Sequence, residues 1–580
     1  MAEYLAPAVY VEETSFRSKS IEGVGTSTTA FVGLTARGPV SAGASAVIPP
    51  LLTSFADYET YYGGVDNLVM GGNPTPNYLA HAANAFFANG GGRLYVARVL
   101  GAGAATATTG VLNNPAGPAN KQVSFTARYA GGAQVAGPSV ANFTVALSLD
   151  SLASTKRLAS RLPAGTMVQV GTDYYVLGVT PAVTSASDFS AFNNLADDGA
   201  LQIVSLSAII SDPSGPVAEY AGLGFDKNHP RYAGLVLGAT PPTTGDVLTN
   251  PVQLNIGAAA TAIDLRGVLF GANTTNTVSL SNGTDGTGAP STADYQDALN
   301  RLLALEDVSI VAAPGSSSFA APTPAAVNQM LIGHAETRRA YRIAVLDTPP
   351  SLEISDVRTL KGLIDSEYAA LYYPWVIVAN PLAATDPTQP SELPLPPSGF
   401  VTGIYARSDV NRGVWKAPAN ETVTGALRLQ REVRFGEQEV LNPLGVNCIR
   451  TLPNRGIRVW GARTTSSDPE WIYVNIRRYF LYLEASIDQG TQWAVFEPNG
   501  ERLWANVVTT ISDFLYAEWV SGALLGTTPQ QAFFVRCDRS TMSQADLDNG
   551  RLICLVGVAA IKPAEFVIFR IGQKTADARD

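Results

Sequence analysis

Histidine and cysteine are scarce, three of each in 580 residues. Cys448, Cys537 and Cys554 cannot all pair with one another, and none stands in a C-x-x-C. The sequence therefore carries neither a disulfide framework nor a zinc site, a usage that fits a reducing compartment. Cys554 sits in an apolar run and reads as a buried thiol. Charge is sparse too, at 15% of residues. A surface so poor in charge is one that partners cover. The net charge of −10 argues against a general nucleic-acid binder. The longest apolar run, Leu552–Ile561, is about half what a bilayer-spanning helix needs. Met1–Pro7 lacks the basic and apolar segments of a secretory signal. The expectation is synthesis in the cytoplasm, with no direct membrane insertion and no nucleic-acid partner.

Catalytic patterns are equally thin. With His81, His229 and His334 as the only histidines, a Ser-His-Asp site has few ways to form, and no G-x-S-x-G occurs. There is no H-E-x-x-H and no acidic calcium-loop spacing. Gly315-Ser316-Ser317-Ser318 follows an apolar strand where α/β enzymes place ligand loops, but it reads as a flexible polar loop. Asp347, at a strand end, reads as a loop cap. Gly572-Gln573-Lys574-Thr575 ends like a phosphate loop but lacks the first glycine and a following helix. No catalytic, cofactor-binding or metal residue is assigned, and no cofactor is expected.

What is present is turn-rich and mixed. Gly and Pro total 90 residues, and the length implies about three or four domains. Thr29–Leu34 reads as a strand, Ser54 and Asp57 as a capped helix start, Asn77–Asn89 as a helix ended by three glycines, and Arg93–Val99 as a strand. From about 101 to 289 short strands and turns suggest an inserted small barrel or sandwich. The α/β alternation then resumes. Val308–Pro314, Arg342–Asp347 and Trp375–Ala379 each carry an apolar run, as central parallel strands do. Trp471–Ile487 is an apolar helix bearing Arg477 and Arg478, which read as interior or interface ion pairs. Gly500–Leu525 is one long helix or a pair, and Phe533–Arg536 and Ile553–Val558 are strands. Residues 401–580 carry 20 basic against 19 acidic side chains, leaving 19 against 30 for the rest.

Two segments lack local partners. Val9, Tyr10, Val11 and Glu12 form one short strand, and Phe566, Val567, Ile568, Phe569, Arg570 and Ile571 another. Each joins the body through a polar or proline-containing link. Each either pairs within its own chain or adds to a sheet edge of another copy. Head-to-tail donation propagates into rings or helices.

Pro7–Glu13, Ile21–Gly33 and Gly38-Pro39 resemble the start of contractile phage tail sheath proteins. So do Trp415-Lys416-Ala417-Pro418-Ala419-Asn420, Asn442–Asn447, Trp460–Thr464, Tyr473–Ile487, Phe496-Glu497-Pro498-Asn499, Phe533–Arg539 and Gly550–Gly572. The likeness covers the first 100 residues and everything after about 290, not 101–289. It implies a multidomain α/β chain. Residues 1–20 would be an N-terminal arm, 21–100 with 290–400 an open α/β middle domain, subtilisin-like in fold and non-catalytic, and 101–289 an inserted β-rich outer domain. Residues 401–561 would be a C-terminal α+β sheath domain and 562–580 a C-terminal arm, both arms exchanging strands. The implied function is a structural subunit that stacks as hexameric rings around an inner tube and contracts to drive it through a target envelope. The implied partners are further copies of the chain, the inner tube protein, and baseplate and terminal cap proteins. The implied location is a virion tail or a cytoplasmic contractile particle. Arg477, Arg478, Arg502 and Arg551 are candidates for facing the tube. The competing readings are an α/β hydrolase-like enzyme with a β accessory domain, and an adhesin acting through the insertion.

Overall fold

The computed structural model describes residues 20–41, 47–112, 118–131, 142–179, 182–186, 188–320 and 324–568. The chain forms two compact units. One comprises Ser27–Asn411 and Pro418–Val474; the other gathers, of the described residues, 20–26, Arg412–Ala417 and 475–568.

The larger unit is built on six parallel strands. These are β1 (Thr29–Gly33), β2 (Leu94–Arg98), β3 (Ile310–Ala312), β4 (Ile343–Asp347), β5 (Ala369–Tyr373) and β6 (Val446–Leu452). Their spatial order is β2-β1-β3-β4-β5-β6, with short antiparallel strands at both ends. β1, β2, β4 and β5 are buried at every position, as strands covered on both faces must be. Two helices cover one face. These are α2 (Thr292–Leu302) and α3 (Pro324–Ala335), whose Leu299, Leu302, Val327 and Leu331 share a core with Val32, Val311 and Leu346. On the other face α1 (Tyr78–Ala88) sets Phe86 edge-on to Phe31 at 5.9 Å. α4 (Ser398–Arg412) approaches α1 so closely that a Cβ on Gly399 would lie 2.7 Å from Ala82. The expected capping box at Ser54 and Asp57 is formed.

Three expectations need correction. Trp375–Ala379 is not a central parallel strand: Val376–Ala379 pairs antiparallel with Glu392–Leu395 and Arg428–Leu429 in a separate sheet, and Ala369–Tyr373 takes the central place. Residues 401–561 are not one domain: β6 pairs with β5, so 418–474 completes the central sheet. The local sequence carries no sign of this, because sheet membership is a long-range property. The insertion is not a barrel. Its seven-stranded antiparallel sheet, centred on Phe143–Thr155 and Ala200–Asp212, is open, and a ribbon of Val123–Ala127 with Val252–Ile256 shares its core. Arg98, buried at the end of β2, donates to the carbonyls of Gly38 and Ala130, both at 2.8 Å. One side chain thus ties the parallel sheet to the insertion.

The smaller unit packs α5 (Val474–Gly490) against α6 (Glu501–Val520) and the ribbon of β7 (Phe533–Arg536) with β8 (Leu555–Val558). The long-helix alternative for 500–525 is therefore the one realised.

Candidate functional site: an assembly surface on the C-terminal unit

The crevice where parallel sheets of this order take ligands lies beyond β1 and β3, where the strand order reverses. Here it is filled by the chain itself. Gly315 adopts φ +85°, and a Cβ there would stand 2.5 Å from Tyr78 of α1. Ser316 and Ser317 are buried, and Ser316 Oγ donates to Ala313 O at 2.7 Å. The loop read as flexible is a buried short helix. Asp347, at the end of β4, accepts from Ser398 N (2.8 Å) and Ser398 Oγ (2.5 Å), so it caps α4. Burial pushes its carboxyl up to about 7, against the pull of those two hydrogen bonds. His334 is held by Arg342 at 2.6 Å, and burial followed by that guanidinium takes its imidazole down to about 3. Among the described residues no group of three or more His, Cys, Asp or Glu is arranged to hold a metal.

The smaller unit is different: it presents surface. Its interior is an aromatic and carboxylate cluster. Tyr479 and Tyr482, three apart on α5, stack at 6.1 Å and both donate to Glu518 of α6, at 3.2 and 2.9 Å. Burial raises the Glu518 carboxyl. Trp415 meets Tyr479 edge-on at 6.4 Å, and its carbonyl accepts from Asn475 at 2.8 Å. Residues 20–26 lie along α5. Val24 N donates to Ser486 Oγ (3.1 Å), Arg478 donates to Thr26 O (3.0 Å), and a Cβ on Gly23 would overlap the Tyr482 hydroxyl. Only glycine fits at 23.

Around this interior many apolar side chains of the unit face solvent. Among the described residues, 11 of the 24 exposed large apolar side chains fall between 495 and 568, a density that marks a surface meant to be covered. Among the described residues the β7–β8 ribbon has two strands, with Phe534 lying across Gly557. Such a ribbon is marginal alone and leaves edge donors and acceptors open.

The candidate residues distribute unevenly. Val9, Tyr10, Val11 and Glu12 lie outside the described residues, as do Phe569, Arg570 and Ile571. Phe566, Val567 and Ile568 are exposed and lie in no strand of the single chain; the strand expected there is one formed on another copy's sheet edge. Arg477 and Arg478 are buried, Arg477 pairing with Glu484 at 2.8 Å, which removes both from a tube-facing surface. Arg502 and Arg551 are exposed. Asn499 donates to the Arg551 carbonyl at 3.1 Å, so both arginines belong to the N-terminal end of α6. Arg551 also stands 3.6 Å from Asp546. Arg539, which sequence reasoning passed over, lies above the Trp504 ring at 5.5 Å. Nothing in its local sequence signals that neighbour. Cys554 is half-buried, not the fully buried thiol expected.

Comparison with known proteins agrees with this division. Residues 288–465 match the phage tail sheath protein central domain, and 466–574 the phage tail sheath C-terminal domain. The chain is 28% identical over 269 residues to a protein named as a prophage major tail sheath protein in Pseudomonas aeruginosa (strain UCBPP-PA14). That alignment covers 45% of this chain and 64% of the relative, so the chain spans just under two thirds of its length. It is 24% identical over 341 residues to the tail sheath protein of Burkholderia phage BcepMu, covering 50% of this chain and 69% of that one. The anti-feeding prophage helical sheath, solved in its contracted state, shares the fold with a TM-score of 0.54 at 21% identity, over 98% of this chain and 100% of that one. Residues 288–574 thus carry the central and C-terminal domains of the phage tail sheath family in order, and the fold of a solved sheath runs along nearly the whole chain.

Proposed function

We propose that this chain is the structural subunit of a contractile sheath, polymerising as stacked hexameric rings around a rigid inner tube. The observation that carries the proposal is the two-stranded β7–β8 ribbon, set in a unit that turns many apolar side chains outward. Terminal strands from neighbouring copies, Val9–Glu12 and Phe566–Ile571, would add to its open edges by main-chain hydrogen bonds. Because the donation runs head to tail, it builds a lattice and not a closed dimer.

In this reading the parallel-sheet unit, subtilisin-like in fold, is a rigid block without catalysis, and the insertion faces outward. The smaller unit faces the tube, with Arg502 and Arg551 toward its acidic side chains. Baseplate and cap proteins close the two ends. Contraction is relaxation of the lattice into a wider, shorter, lower-energy form. The subunits turn as rigid bodies and the arms act as hinges. A nearby precedent is the sheath complex of an extracellular contractile injection system, also solved contracted (TM-score 0.52, 19% identity).

Deleting residues 1–13 tests the arms. The shortened chain is expected to stay folded and soluble and to stop sedimenting as polymer. Long polymers from that variant would refute strand donation.

A further inference from the structure

Phe496 is fully exposed and holds φ +66°. An aromatic residue in the left-handed region is an uncommon conformation, and burial does not explain it here. The side chain stands at the tip of the loop between α5 and α6, next to exposed Val495. At the opposite end of α6 lies an open apolar depression lined by Trp519, Val520, Leu524, Leu525 and Ile561. Leu525 and Val520 are well exposed, and the Trp519 indole is fixed by its donation to Gly526 O at 2.9 Å.

A knob and a socket thus sit at the two ends of one 20-residue helix. Such a helix is about 30 Å long. A chain cannot fold its own Phe496 into its own socket across that length without breaking α6. We infer that Phe496 of one copy seats in the Trp519–Leu525–Ile561 depression of the next copy, a head-to-tail contact repeating along the polymer. A single buried aromatic anchor of this kind is where binding energy concentrates. The contact rests on the sheath reading above and deepens it, naming a residue pair that holds adjacent copies in register. It is separate from the terminal arms, since it uses side chains in a pocket and not main-chain edges.

The test is a covalent ladder. In a Cys554→Ser background, which removes the half-buried thiol, Phe496→Cys and Leu525→Cys are introduced singly and together into the full chain. Polymers are cross-linked with a short thiol-reactive reagent. The double variant is expected to give dimers, trimers and higher species on a denaturing gel; each single variant gives none beyond dimer. Polymers that form but give no ladder would overturn the contact and leave the sheath reading standing. Cross-linking of Phe496→Cys to an inner tube protein, or closure within one chain, would overturn it equally. Failure of the unmodified chain to polymerise would overturn the parent reading and this contact with it. Should the double variant not polymerise, Phe496→Ala and Phe496→Trp decide. Alanine is expected to raise the critical concentration about tenfold and tryptophan to restore it. Equal critical concentrations for alanine and phenylalanine would refute the knob.

Discussion

The two units solve opposite problems. The larger one buries its sheet on both faces, and β1, β2, β4 and β5 have no exposed position. The smaller one rests on two helices, a buried Glu518 and a two-stranded ribbon, and leaves Phe496, Val520, Leu525, Phe534 and Phe566 in solvent. The first is finished as a single chain. The second is finished only when something covers it. Core substitutions should therefore act on the stability of the isolated chain, and surface substitutions in the smaller unit should act on assembly.

The largest effect is expected in the parallel sheet. Leu371 on β5 is fully buried, and Leu371→Ala should cost about 2–5 kcal/mol in denaturant unfolding. In the smaller unit, Glu518→Ala leaves the Tyr479 and Tyr482 hydroxyls without their acceptor and should cost about 1–3 kcal/mol. Phe514→Ala in the same cluster separates loss of packing from loss of that acceptor.

Asp347 sharpens the comparison through pH. Its folded carboxyl titrates at about 7 against 3.8 unfolded, so the folded state holds the proton more tightly. That contribution is fully present below about pH 4 and is lost as pH rises through 7. Stability of the larger unit should rise when pH is lowered from 8 to 5, and Asp347→Asn should flatten the rise. A profile unchanged by the substitution would rule Asp347 out as its source.

The smallest effects on the isolated chain belong to the outward surface. Phe534→Ser should stay within about 0.5 kcal/mol of the parent, yet weaken polymerisation. Arg502→Glu and Arg551→Glu should be as silent in unfolding and reduce co-sedimentation with the tube protein. Unchanged co-sedimentation would remove both residues from the tube-facing set.

How much the sequence revealed follows the same division. Val308–Pro314 and Arg342–Asp347 were readable as central strands because an apolar run flanked by helices has few other homes, and both regions do lie mid-sheet. β6 was not readable as a sheet member, since only the short helix Phe435–Leu441 leads into Val446-Asn447-Cys448-Ile449 and its partner β5 is more than 70 residues earlier. The apolar circumference of α5 pointed to a buried helix. Which arginines stayed inside depended on Thr26, 452 residues from Arg478, and no periodicity reports that. Phe496-Glu497-Pro498-Asn499 carries part of the sheath resemblance, yet only its conformation and exposure single out the phenylalanine as an outward side chain.

Electron microscopy of the purified full-length chain over a range of concentration and salt tests the central claim most directly. The account predicts cylinders with a regular axial striation, formed by the unmodified chain and absent once the terminal segments are removed. Single, monodisperse particles under every condition would contradict it.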